Sequence, residues 1–309
     1  MNPSKLSVYD EDFLLENDVA RELYHDHAKH QPIIDYHCHL PPEHVAKNHR
    51  FRTITEIWLD GDHYKWRALR TNGIPEVLVT GPAGDWDRFS AWARTVPKTL
   101  KNPLYHFTHL ELKKPFGIRD RLLSADTARG IYDDTNFRLA DPEYSALGLM
   151  RQFNVAAVCT TDDPADDLVH HRAYRESPAW DDVRMFPSFR PDGALEIEDP
   201  SALRNYVTRL GEVSGVDISS FNALLEALDR RHAAFHELGC RLSDHGLETM
   251  FSDDFSESEV EQIFEQALRG RVVDPGQAQR YRSALLYELA RLDSARGWTQ
   301  QFHLGAIRG

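Results

Sequence analysis

Short apolar strands alternating with amphipathic helices narrow the possible folds of this chain more than any other feature. Strand candidates fall at 33–34, 154–161, 183–191, 239–247 and 299–307. Between the later ones lie helical patterns. Leu224, Leu225 and Leu228 form an apolar stripe within residues 201–236. Val260, Ile263, Phe264 and Ala267 follow a Ser256–Glu259 capping-box pattern, and Leu285, Leu289 and Leu292 mark a helix that ends near Gly297. Strands joined through helices pair in parallel with right-handed crossovers. Apolar strands with polar carboxyl ends predict an α/β fold, a (β/α)8 TIM-like barrel, and no Gly-x-Gly-x-x-Gly follows the first strand to suggest a phosphate-binding sheet. Five strand candidates are present, so the barrel is expected to be incomplete.

From about residue 41 to 150 no buried parallel strand is evident. Patterns such as Phe89, Trp92 and Ala93 are helical, broken at Gly61, Gly73, Gly81-Pro82 and Pro97. This stretch is expected to be a helical insertion after the first strand, within one partial barrel domain spanning 1–309. It is expected to build over the active site, because strand-to-helix loops carry barrel active sites. Residues 11–30 read as a helical lead-in anchored by Phe13, Leu14, Ala20, Leu23 and Tyr24.

The most concentrated chemistry lies in Pro32–Leu40. Ile33 and Ile34 read as a short buried strand, followed at spacing two by Asp35, His37 and His39. Residues two apart on a strand share a face, so the two imidazoles are expected to project together from its end. Neutral histidines placed so can bind a zinc-like ion, although two surface histidines fit the same spacing. Pro41 and Pro42 stop the strand. Arg190, at the end of the third strand candidate, suits bidentate binding of a carboxylate. Asp244 and His245, at the end of the fourth, suit orientation of a ligand or substrate. Asp162 and Asp163 read as caps for a helix after Pro164, and His170, His171 and His232 as solvated.

A formal net charge of -13 argues against nucleic acid and anionic membrane surfaces as partners. It leaves room for an anionic small molecule held by a few arginines. No apolar run follows a basic start in residues 1–18, and no stretch reaches the ~20 apolar residues of a membrane helix. Cys38, Cys159 and Cys240 lie in apolar strand candidates and read as buried free thiols of a cytoplasmic protein.

Longer blocks carry more than any single motif. They are Asp35-Tyr36-His37-Cys38-His39-Leu40-Pro41-Pro42, Ile57 to Arg67 around Asp62-His63-Tyr64, and Thr95 to Gly117 around Asn102-Pro103-Leu104-Tyr105-His106. Thr160 to Pro164, Phe189-Arg190-Pro191-Asp192, Ser243-Asp244-His245-Gly246 and Gln301-Phe302-His303-Leu304-Gly305 continue the series. Over essentially the whole chain these resemble the uronate (glucuronate) isomerases of the amidohydrolase superfamily. The resemblance implies a distorted (β/α)8 barrel and interconversion of D-glucuronate with D-fructuronate and of D-galacturonate with D-tagaturonate. It also implies a divalent metal, zinc, on His37 and His39. Catalytic roles are expected for His63, Tyr64, Asp244 and His303, and substrate binding for Arg190 and His245. A homo-oligomer is possible. Family members continue beyond a Gly-Ala-Ile-Arg block like that at 305–308, so a chain shortened at its C-terminus is expected. A metal-dependent hydrolase on the same scaffold and an inactive remnant are the alternatives. The His63-Tyr64 block favours an isomerase, because a hydrolase has no evident need of it.

Overall fold

The computed structural model describes residues 9–305, which fall into two compact units. One comprises Lys47–Ala156 with the described residues up to Ile33; the other comprises Ile34–Ala46 and the chain from Ala157 onward.

The first unit is helical. It contains α1 (Asp18–Glu22), α3 (Ile54–Leu59), α4 (His63–Thr71), α5 (Asp85–Thr95), α6 (Pro103–Lys113), α7 (Ala128–Leu139) and α8 (Ala146–Gln152), while α2 (Pro42–Ala46) belongs to the second unit. Side-chain caps define the helix starts: Thr53 for α3, Asp62 for α4, Asn102 for α6 and Ser145 for α8. The core gathers Trp58, Leu59, Leu69, Phe89, Trp92 and Ile131, all buried. The expected lead-in is different from its prediction. Only α1 and a π turn at Leu23–Ala28 form there, and Leu14, Leu23 and Tyr24 are exposed. Of the expected anchors, Phe13 packs on Tyr9 and His106 and Ala20 is partly buried, whereas Leu14, Leu23 and Tyr24 do not anchor the stretch.

The second unit is a parallel sheet covered by helices. The strands of the sheet are β1 (Ile33–Asp35), β2 (Val155–Asp162), β3 (Arg184–Phe189), β4 (Leu242–Leu247) and β5 (Thr299–Leu304), hydrogen-bonded in that order, with β1 and β2 entering this unit at Ile34 and Ala157. β2–β3, β3–β4 and β4–β5 are parallel pairs, with Asp244 beside Gln301 and Gly246 beside His303. This is the strand-by-strand winding of a TIM barrel, present as a half-barrel. The remaining helices are α9 (Val169–Arg175), α10 (Asp192–Leu195), α11 (Pro200–Ser214), α12 (Phe221–Glu237), α13 (Glu257–Leu268) and α14 (Pro275–Arg296). They bury Phe189, Leu224, Phe235, Phe264, Tyr281 and Leu285.

Two expectations about the strands are corrected. Ile33 and Ile34 are 45% and 66% exposed, because β1 is an edge strand with one neighbour in the sheet. Of the thiols, Cys240 is buried, whereas Cys38 and Cys159 are only partly so. Burial pushes the Cys38 and Cys240 thiols up to about 12 and that of Cys159 to about 11, so all three stay protonated at neutral pH. Residues 306–309, including the predicted strand end at Ile307 and most of the Gly-Ala-Ile-Arg block, lie outside the described residues.

Candidate metal and substrate site

Strand β4 separates two environments by simple alternation. Ser243 and His245 point to one face. Ser243 Oγ donates to Asp293 Oδ2 on α14 at 2.7 Å, and the His245 ring stacks on Phe302 with centroids 5.1 Å apart. Asp244 and Gly246 point to the other face, where side chains from four strand ends meet.

Asp244 is the centre of that meeting and is fully buried. Its Oδ1 lies 2.8 Å from His303 Nδ1, and its Oδ2 lies 3.7 Å from His37 Nδ1. The His37 and His303 rings are 4.6 Å apart between centroids, and His39 is 4.9 Å from His37. One donor atom from each of His37, Asp244 and His303 falls within 4.8 Å of the other two. Asp244 Oδ1 and His303 Nδ1 are buried and face each other, and neither has a further hydrogen-bond partner among the described residues. Buried polar atoms with so few partners suit a shared cation. A divalent cation fits this set: two imidazole nitrogens and a carboxylate oxygen are the donors zinc favours, with room left for a further ligand.

Arg190 follows β3 and reaches across to the same carboxylate. Its Nη1 donates to Asp244 Oδ2 at 3.0 Å and its Nε to Asp192 Oδ2 at 2.7 Å. Asp192 in turn accepts from the Gly246 backbone N at 3.1 Å. Asp192 carried no role in the sequence reading, although it sits two residues after Arg190 in a quoted block; only the fold reveals the bridge.

Other sequence expectations fare differently. His245 is not beside Asp244 but on the opposite face of β4. It is fully buried, 3.2 Å from Ser243 Oγ and stacked on Phe302, and burial lowers its pKa, so the structure does not bring it together with Asp244, His37 and His303. His63 and Tyr64 form the first turn of α4 in the helical unit. Asp62 accepts from the Tyr64 backbone N at 2.9 Å, the His63 ring meets Trp66 edge-on, and Tyr64 is 67% exposed.

Asp162 and His171 were expected to cap a helix and to be solvated; both are buried instead. Thr160 Oγ1 bridges them, 2.7 Å from Asp162 Oδ2 and 2.8 Å from His171 Nε2. Asp163 does close a turn, accepting from the Ala165 backbone N at 2.8 Å. His232 is likewise buried, bonded to Asp293 at 2.9 Å and stacked on Trp298. These misjudgements share a cause. A histidine on an amphipathic helix looks polar in sequence, and only tertiary packing decides whether a carboxylate waits beneath it. His170 is partly buried.

Parallel strands wound through helices, with imidazoles and a carboxylate gathered toward their carboxyl ends, define a protein of the β/α-barrel class. Residues 6–309 match the glucuronate isomerase family. The uronate isomerase of Bacteroides thetaiotaomicron is 52% identical over 300 residues, and that of Cellvibrio japonicus 50% identical over 303. These alignments cover 97% and 98% of this chain, which spans 64% of each relative's length. Among solved structures, the uronate isomerase of Thermotoga maritima superposes with a TM-score of 0.89 at 32% identity, covering 96% of this chain and 64% of that one. The glucuronate isomerase of Caulobacter crescentus gives 0.82 at 28% identity, covering 89% and 58%. The chain belongs to the glucuronate isomerase family. The matches run over nearly all of it and do not by themselves establish a shortened chain.

Proposed function

We propose that this chain catalyses aldose–ketose isomerisation of uronates, interconverting D-glucuronate with D-fructuronate and D-galacturonate with D-tagaturonate. The observation that carries the reading is the His37–Asp244–His303 cluster, built on a fully buried carboxylate with two partly exposed imidazoles beside it and Arg190 seated on that carboxylate. Family membership supports it independently.

The reaction moves one proton from C2 to C1 of the open-chain aldehyde through an enediolate, with no net oxidation. It needs a base at the C–H, stabilisation of the developing oxyanion and a grip on the sugar acid. Arg190 Nη2 makes no hydrogen bond among the described residues, and we assign it to the substrate carboxylate. His63 and Tyr64 are assigned to proton transfer, since an imidazole and a phenol can accept and return a proton. Asp244 holds His303 and Arg190 in place. His37, Asp244 and His303, with His39 adjoining, are assigned to a divalent metal, zinc by the character of the donors. A bound zinc supplies Lewis-acid polarisation of a substrate oxygen. Three free thiols fit a cytoplasmic setting.

Incubating the purified chain with D-glucuronate and measuring ketose formation tests the proposal. Ketose is expected. Hydrolysis of esters or amides with no ketose would replace the isomerase by a metal-dependent hydrolase, and no turnover of either kind by zinc-loaded protein would leave an inactive relative.

A further inference from the structure

The guanidinium of Arg190 reaches Asp244 only by passing over β4, and the structure shows what permits that passage. A Cβ added at Gly246 would lie 2.0 Å from Arg190 Nη2 and 3.1 Å from Asp192 Oδ2. No methyl group can occupy that position while the guanidinium stays. Gly246 has no left-handed φ, so its lack of a side chain serves space and not backbone conformation. Above it, Asp192 joins two partners at once: Arg190 Nε at 2.7 Å and the Gly246 backbone N at 3.1 Å.

We propose that Asp192 and Gly246 are positioning residues that seat Arg190. Glycine provides the floor, and the Asp192 carboxylate ties the guanidinium to the β4 backbone. Thus fixed, Arg190 occupies Asp244 Oδ2 with Nη1 and leaves Oδ1 facing His303. The seat therefore decides which carboxylate oxygen is offered to the cation and where Nη2 is presented to the substrate. This inference rests on the isomerase reading for its kinetic consequence, but not for its effect on cation binding.

The test is a pair of double-mutant cycles, which isolate the interaction between two sites. Gly246→Ala meets only the far end of a flexible side chain and the Asp192 carboxylate, so the fold is expected to persist with the guanidinium displaced. Zinc titration by calorimetry gives the first readout. Arg190→Met removes a cation beside a ligand oxygen, so zinc is expected to bind about tenfold tighter. Gly246→Ala is expected to move affinity the same way, and the double variant no further than Arg190→Met alone. Effects of Gly246→Ala and Arg190→Met that simply multiply would overturn the proposal.

The second readout is the KM for D-glucuronate. Asp192→Asn, Gly246→Ala and Arg190→Met are each expected to raise it about tenfold, the scale of one charged hydrogen bond, with kcat changing far less. Asp192→Asn is expected to add nothing on the Arg190→Met background, whereas independent losses would overturn the seating. A chain that turns over no uronate would reject the isomerase reading alone, because the zinc cycle still decides the seat.

Discussion

Asp162 and His171 lie 3.6 Å apart in the interior between β2 and α9. Burial pushes the Asp162 carboxyl up to about 7 and the His171 imidazole down to about 4, so between those values both are neutral and Thr160 links them without net charge. The sign of the pH effect follows. The folded state holds the Asp162 proton that the unfolded chain releases near its ordinary value, so this group's contribution is greatest at low pH. It is lost as pH rises to about 7. Asp162→Asn removes that dependence. Its cost, measured by urea unfolding, is expected to shrink by on the order of 3–4 kcal/mol from pH 4 to pH 8. A cost that grows with pH would show the carboxylate form to be the native one. Around Asp244 the expectation concerns metal. His37→Ala with His39→Ala is expected to abolish zinc binding by elemental analysis, and Asp244→Asn to weaken it by about tenfold or more. Unchanged stoichiometry in the double variant would refute the ligand assignment. The spacing of His37 and His39 made their proximity legible in the sequence, although both lie just beyond β1, which ends at Asp35. The meeting of His37, Asp244 and His303 was not legible, since they come from segments far apart in the chain.

Helix α14 shows how much an element declares about itself. Asp274 and Gln277 form a reciprocal capping box with Pro275 at the first turn, and Gly297 closes the helix at φ 66°. Asp274→Ala is expected to cost about 1 kcal/mol of unfolding free energy. Gly297→Ala is expected to cost a similar amount, because only glycine takes that φ freely. The interior of the same helix is less transparent. Asp293 accepts from Ser243 at 2.7 Å, from His232 at 2.9 Å and from Gln300 Nε2 at 2.9 Å, tying α12 and α14 to β4 and β5. Asp293→Ala takes this partner from the buried Ser243 and His232 and from the partly buried Gln300, and is expected to cost about 3–5 kcal/mol, read as a fall in Tm. A loss below about 1 kcal/mol would mean that water replaces the carboxylate. Nothing in the amphipathic pattern singles out this aspartate, whereas helix ends follow from the few residues that can form them.

At the scale of the whole chain, the alternation of strands and helices foretold the parallel order of the sheet, because the connections leave little other choice. It did not foretell two separate cores, one around Trp92 and one around Phe264. Calorimetry is expected to resolve two components. Trp92→Ala should lower one and Phe264→Ala the other, each by about 3–5 kcal/mol. A single transition moved equally by both substitutions would contradict separate cooperative units. β4 carries a consequence for how such a chain can change. Its residues Ser243 and Leu247 pack the sheet against its helices, while Asp244 and Gly246 face the candidate cation cluster and Arg190. One inserted or deleted residue between Leu242 and Leu247 would exchange the two sets, setting ligands among the packing and packing among the ligands. Along this strand, scaffold and reactivity can drift by substitution but never by a shift of frame.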